Sequence, residues 1–173
     1  LPDALQTHRR ALAVRRAALG DGHAQVAQDL ANVAVVLGDL GQQDEALQTV
    51  DEAVALASRN LGAESLSVAT ALLTKASLLH DASDLDAALS TIDDVVSKAT
   101  RLGNVELVGA AMNLRGLVLV DAARFDEAVE AHRRAVAMAT TGSNSGGADA
   151  LTTYLGNLSS SLRAAGKLAE SEQ

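Results

Sequence analysis

One feature constrains the fold of this sequence more than any other: the chain repeats itself every 40 to 42 residues. The segment Ala4–Gly20 (ALQTHRRALAVRRAALG) aligns without a gap with Ala46–Gly62 (ALQTVDEAVALASRNLG). The block that starts at Asp44 (DEALQTVDEAV) aligns with the blocks that start at Asp86 (DAALSTIDDVV) and Asp126 (DEAVEAHRRAV). A unit this short cannot bury an apolar face alone, so neighbouring units must stack and share one core.

Between these blocks, a second kind of segment carries apolar residues three and four positions apart, the period of an amphipathic helix. These segments are Ala27–Leu40, Ala69–His80, Gly109–Val120 and Thr152–Ala164. Each unit therefore holds two helices: helix A, formed by such a segment, and helix B, formed by the repeated block. Gly41 and Gly166 fall where a helix A must end, a place that favours positive φ.

The composition excludes several classes of function. A net charge of −8 and an aromatic content of 1% disfavour nucleic-acid binding, which needs basic residues and flat stacking partners. Without cysteine the chain has no disulfide, no thiol chemistry and no cysteine-ligated zinc. No uncharged apolar run reaches the roughly 20 residues of a membrane span, so we expect no membrane partner. We expect a cytoplasmic protein and, because the first residue is Leu1, a fragment of a longer chain.

Large and small residues recur at fixed positions of the helices. In the first full unit they are Leu30, Val33, Ala34, Leu37, Gly41, Ala46, Val50 and Ala53. The second unit has Leu72, Lys75, Ala76, Leu79, Ser83, Ala88, Ile92 and Val95, and the third has Met112, Arg115, Gly116, Leu119, Ala123, Ala128, His132 and Ala135. The partial fourth unit has Leu155, Leu158, Ser159, Leu162, Gly166 and Ser171. This pattern resembles the tetratricopeptide repeat, in the 42-residue type of kinesin light chains and their bacterial relatives.

The resemblance implies an all-α fold, a right-handed α-solenoid of antiparallel helix pairs. It divides the chain into helix B of a preceding repeat at 1–20, repeats at 24–62, 65–102 and 104–140, and a partial repeat at 147–173. The Gly/Ser-rich segment Thr140–Ala148 takes the place of the ordinary turn between the third and fourth units, and we expect a long mobile loop there.

Charged residues depart from the pattern at two positions. Lys75 and Arg115 stand where a large apolar residue is usual, and we expect their aliphatic stems to pack while the charges reach solvent. The arginine pairs of the B helices, such as Arg9-Arg10 and Arg133-Arg134, face acidic residues at matching positions of adjacent units. We interpret them as a solvated outer layer with charge pairing between repeats rather than as a basic binding patch.

The histidines are the main candidates for catalysis or metal binding, and we assign them structural roles. His8 and His132 occupy the repeat position of Val50, which packs between helices. The resemblance implies a packing and capping role for His23. His80 precedes Asp81, but no nucleophile or second base accompanies that pair. Because phosphate-binding and metalloprotease motifs are also absent, we expect no enzymatic activity and no cofactor.

In tetratricopeptide arrays the A helices line a concave groove that holds peptides. Carried over position by position, the groove residues are Gln28, Asn32, Val35 and Asp39 from the first A helix and Thr74, Ser77, His80 and Asp81 from the second. The third contributes Asn113, Leu117 and Asp121, and the fourth contributes Asn157, Ser160 and Arg163. The amides of Asn32, Asn113 and Asn157 are suited to peptide backbone because each both donates and accepts hydrogen bonds.

Three aspartates, Asp39, Asp81 and Asp121, fall at one position of successive A helices and should form an acidic ladder. A carboxylate at a helix C-terminus opposes the dipole, so we predict a protein or peptide partner of basic character. The sequence favours a non-enzymatic interaction scaffold. The alternative is a regulatory sensor region of a larger bacterial signalling protein, such as a signal-transduction ATPase, a transcriptional activator or a caspase-like protease. A third hypothesis is self-association through exposed ends of the array.

Overall fold

The computed structural model describes residues 2–21, 23–141 and 147–167 of the chain. These residues form α-helices joined by turns. The helices are α1 (Pro2–Leu19), α2 (Ala24–Asp39), α3 (Gln43–Leu61), α4 (Leu66–Asp81), α5 (Leu85–Arg101), α6 (Val105–Asp121), α7 (Phe125–Thr141) and α8 (Gly147–Ala164). The even-numbered helices are the A helices of the repeat and the odd-numbered ones are the B helices. The expected loop Thr140–Ala148 lies largely outside the described residues, as do residues 168–173 of the partial repeat.

The ends of the helices follow from local chemistry. His23, Ser65 and Asn104 are the N-caps of α2, α4 and α6, and each side chain accepts a hydrogen bond from a backbone N–H of the first turn. His23 therefore has the expected capping role, but its side chain is exposed and does not have the expected packing role. Gly41 and Gly166 adopt the expected positive φ, at 74° and 76°.

Four A helices end in the same backbone motif. The N–H of the residue after the positive-φ position donates to the carbonyl five residues earlier, as Gln42 does to Leu37 at 2.9 Å. The same bond joins Asp84 to Leu79, Arg124 to Leu119 and Lys167 to Leu162. Because this motif reverses the chain within a few residues, α3 packs back on α2, and α7 packs back on α6.

The chain divides into two compact units, Leu1–Ala87 and Ala88–Gln173. In the first, α1 packs on α2, α2 on α3, and α4 on both α2 and α3. Its core holds two clusters. One is Leu12, Val26, Ala27, Leu30, Ala31, Ala53, Leu56, Ala57, Val68 and Ala71, and the other is Val33, Ala34, Leu37, Ala46, Val50 and Leu78. Gly38 keeps the second cluster close, because a Cβ at that position would lie 2.6 Å from the Leu78 Cδ2 atom.

In the second unit, α7 packs on α6 and α8, and α6 also contacts α8. His132 of α7 is fully buried, and its Nδ1 lies 2.8 Å from the Oγ of the equally buried Ser161 of α8. Gly116 of α6 leaves the space that the imidazole fills, since a Cβ there would collide with the ring. The expected packing role of His132 is confirmed.

The aliphatic stems of Lys75 and Arg115 pack as the sequence predicted, and each charged group also forms an ion pair. Their side chains are 30% and 25% exposed, so the stems are largely covered. Each charge meets an aspartate of the preceding B helix: the Lys75 Nζ lies 2.6 Å from the Asp51 Oδ1, and Arg115 is paired with Asp93. The two ion pairs occupy equivalent repeat positions, so each ties a helix A to the helix B before it.

Candidate functional site: the exposed faces of the A helices

In the first unit, the candidate groove residues lie on the neighbouring helices α2 and α4. Gln28, Val35, Asp39 and Asp81 are exposed, and Asn32, Thr74, Ser77 and His80 are half-buried. The Gln28 Nε2 donates to the Asn32 Oδ1 at 3.2 Å. Polar groups and one exposed valine therefore share the outward faces of two packed A helices. We call this surface the A-face of unit 1.

The A-face of unit 2 is formed by α6 and α8. Its candidate residues are Asn113, Leu117 and Asp121 on α6 and Asn157, Ser160 and Arg163 on α8. The structure joins two of them directly, because the Asn157 Nδ2 donates to the Asn113 Oδ1 at 2.8 Å. This contact was not predicted. Asn157 occupies the repeat position of Asn32, whereas Asn113 occupies that of Ala31, and only the packing of α6 on α8 brings the two amides together.

The acidic positions have a common structural setting. Asp39, Asp81 and Asp121 are the last residues of α2, α4 and α6, and all three are exposed. The C-terminus of a helix carries about half a negative charge, so each carboxylate adds to a potential that is already negative. Their spacing of about 10 Å along one edge stays a prediction from helix packing.

The other histidines have ordinary helix settings. His80 is half-buried in the last turn of α4, and His8 is half-buried on α1. In the described ranges, histidine, aspartate and glutamate side chains form no group of three that could hold a metal ion. None of the helices in those ranges is long and apolar enough to cross a membrane.

The B helices carry the expected charge pairs between repeats. Arg9 pairs with Glu45, and Arg16 with Glu52, which joins α1 to α3. Sequence reasoning missed Asp29, which is only 5% exposed on α2 and pairs with Arg15 of α1. The signal was a charge inside the apolar stripe of a helix A, at a position where a soluble helix is normally apolar.

Several solved structures are similar to this chain over 99% of its length. BtubC (BKLC) from P. vanneervenii is 22% identical with a TM-score of 0.80, over 68% of that chain. Nearly identical repeats of a Podosopora anserina kinesin-light-chain protein are 18% identical with a TM-score of 0.73, over 82% of that chain. The MamA protein is 14% identical with a TM-score of 0.62, over 87% of its chain. At these low identities the structural likeness shows the fold alone. A search of curated proteins found no match to the sequence.

The family itself is shown by sequence. The model of the tetratricopeptide repeat matches residues 1–59, 27–100 and 67–141, which together cover most of the chain. The helix pairs, the small residues between them and the shared helix-ending motif agree with that match. The chain belongs to the tetratricopeptide repeat family, whose members are generally non-catalytic scaffolds for protein–protein interaction.

Proposed function

We propose that the chain is a scaffold without catalytic activity, and that its A-faces bind an extended segment of a partner protein that carries basic side chains. The family supports the scaffold role. The basic character of the partner rests on one observation: exposed aspartates end three successive A helices, α2, α4 and α6.

An aspartate in the last turn does not stabilise its helix, so its placement there favours a role in ligand binding. Lysine, arginine and histidine are the residues that stabilise the last turn of a helix, by about 0.3–1 kcal/mol each, and a carboxylate there has the opposite effect. The same unfavourable placement of a carboxylate recurs at the ends of all three helices. A ligand ammonium or guanidinium group near these helix ends would offset the negative potential that the carboxylates and the helix C-termini create there.

The amide pair of unit 2 supplies the contact for a peptide backbone. Because the Asn157 Nδ2 is bonded to the Asn113 Oδ1, the two amides hold each other in place. The pair still offers the Asn113 Nδ2 as a donor and the Asn157 Oδ1 as an acceptor. One peptide unit of an extended ligand presents a matching carbonyl and N–H, and fixed partners lower the entropic cost of binding it.

The test uses a library of fluorescently labelled ten-residue peptides rich in lysine and arginine, with a matched library rich in aspartate and glutamate. We expect the chain to select basic peptides. The variant Asp39→Asn, Asp81→Asn, Asp121→Asn should bind the selected peptides about tenfold more weakly or worse, a loss of roughly 1.4 kcal/mol or more. Fluorescence anisotropy measures the affinities.

The matched control removes the same charge from exposed positions of the B helices, as Asp44→Asn, Asp86→Asn, Glu130→Gln. Both variants should keep the helical circular dichroism of the native chain. Selection of acidic peptides, or equal weakening by the two variants, would show that the aspartates at the helix ends do not define the ligand.

A further inference from the structure

Three buried positions of the repeat differ in character between the two compact units. In the first unit, Ala34, Val50 and Leu78 pack together in one apolar cluster. The residues at the same repeat positions of the second unit are Gly116 of α6, His132 of α7 and Ser161 of α8, and all three are buried. We call this second set the polar trio.

The imidazole of the polar trio joins α7 to both α6 and α8. The His132 Nδ1 lies 2.8 Å from the Ser161 Oγ on α8. On α6 the ring lies so close to Gly116 that a Cβ there would be 2.3 Å from the Nε2 atom. The backbone of Asn113 also lies within hydrogen-bonding reach of the imidazole. Because α6 and α8 each present a small residue to the ring, both helices approach it closely.

The polar trio lies one helical turn from the amide pair of the A-face. Asn113 precedes Gly116 by three residues on α6, and Asn157 precedes Ser161 by four residues on α8. Residues three or four positions apart are neighbours on a helix surface. The spacing of α6 and α8 at the trio therefore sets the distance between the two amides, which is 2.8 Å from the Asn157 Nδ2 to the Asn113 Oδ1.

Stability alone does not favour a polar trio in this place. A buried imidazole and hydroxyl lose their hydration, and the hydrogen bond between them returns only about 0.5–1.5 kcal/mol net. Apolar residues, such as those of the first unit, fill the same positions without this desolvation cost. A hydrogen bond adds direction, because it forms only within a narrow range of distance and angle, whereas apolar contacts tolerate shifts of one helix along another.

We propose that the polar trio positions the amide pair: the imidazole of His132 sets the spacing of α6 and α8 at which the two amides bind one peptide unit of a ligand. This inference rests on the proposed function, in which the amide pair is the contact for a peptide backbone. His132 is fully buried, so it acts on the ligand only through the amides. Its replacement should weaken binding even where the fold loses no stability.

The test gives the second unit the apolar trio of the first, as Gly116→Ala, His132→Val, Ser161→Leu. Urea unfolding should show a free energy of unfolding equal to that of the native chain or higher. In NMR spectra with isotope-labelled asparagine, the side-chain amide signals of Asn157 should move toward those of an exposed amide, because its bond to Asn113 is lost. The affinity for a selected basic peptide should fall about fivefold, the effect expected of one misplaced hydrogen bond.

Two further variants separate positioning from a general effect on the fold. Ser161→Ala removes only the hydroxyl, changes the packing least and should shift the Asn157 signals in the same direction. In an Asn157→Ala chain, whose amide pair is already broken, the trio replacement should change the peptide affinity by less than about twofold.

The results can also contradict the proposal. Asn157 signals that stay unchanged in both trio variants would overturn it without any ligand. A loss of affinity found only where the free energy of unfolding also falls, or found equally in the Asn157→Ala chain, would overturn it while basic peptides still bind and the proposed function stands. A native chain that selects no basic peptide would contradict the proposed function itself, and the role in ligand binding would be overturned with it.

Discussion

At the scale of single residues, His132 shows that one buried position of the repeat can hold either an apolar or a polar side chain. Val50 fills the equivalent position in the first full unit and packs in one cluster with Ala34. His132 is larger, and Gly116, at the position of Ala34, is correspondingly smaller. Ser161 satisfies the Nδ1 atom of the ring. Burial lowers the pKa of His132, and a backbone hydrogen bond at Asn113 offsets part of that effect.

This lowered pKa predicts an acid-sensitive contribution to stability. An unfolded histidine titrates near pH 6.5, and the folded one titrates below that, so the unfolded state binds more protons as the pH falls. The free energy of unfolding should therefore decrease from about pH 6.5 downward, toward the folded pKa. Urea unfolding at about pH 7.5 and about pH 5.5 should show a larger loss for the native chain than for His132→Ile.

Measurement between about pH 7.5 and about pH 5.5 separates the titration of His132 from that of the carboxylates. The pKa values of Asp126 and Glu127 are lowered by hydrogen bonds to Lys167 and Arg124, so those interactions weaken only as the pH falls below about 4. The same loss of stability in the native chain and in His132→Ile would show that another group causes the acid sensitivity.

At the scale of the helix, the ends of the A helices predict a stabilising substitution. Ser83 and Ala123 occupy the repeat position of Gly41 and adopt φ of 61° and 57°, although a Cβ makes this conformation costly by about 1–2 kcal/mol. Ala123→Gly removes that strain, while the freer unfolded chain costs about 0.4–1 kcal/mol in return. We expect a net gain of about 0.5–1 kcal/mol in the free energy of unfolding. Gly41→Ala is the reverse control and should lower the free energy of unfolding. A lower free energy of unfolding in Ala123→Gly would show that the backbone at Ala123 is not strained.

The same helices show what the sequence could predict. The spacing of the apolar residues predicted all four A helices. The predicted last residue of each lies within one position of the observed one, because the turn residues recur with the repeat. Their first residues lie three to five positions earlier than predicted, since N-caps such as Asn104 open a first turn that the apolar pattern does not mark. The Asn113–Asn157 contact could not be predicted, because it joins residues from two different repeat positions.

At the scale of the whole molecule, the chain carries a net charge of −8, which adds a long-range attraction for a basic partner to the local one at the helix ends. Binding of a basic segment relies on attraction between exposed charges, which salt screens once the Debye length falls from about 10 Å at 0.1 M to about 3 Å at 1 M.

Sodium chloride should consequently weaken the binding of a basic peptide. Between about 0.1 M and about 1 M salt, we expect the affinity for a selected basic peptide to fall by about tenfold or more. Fluorescence anisotropy at each salt concentration measures this affinity. Peptide binding that is insensitive to salt would show that the aspartates at the helix ends do not attract the ligand, because attraction between exposed charges must weaken as the salt concentration rises.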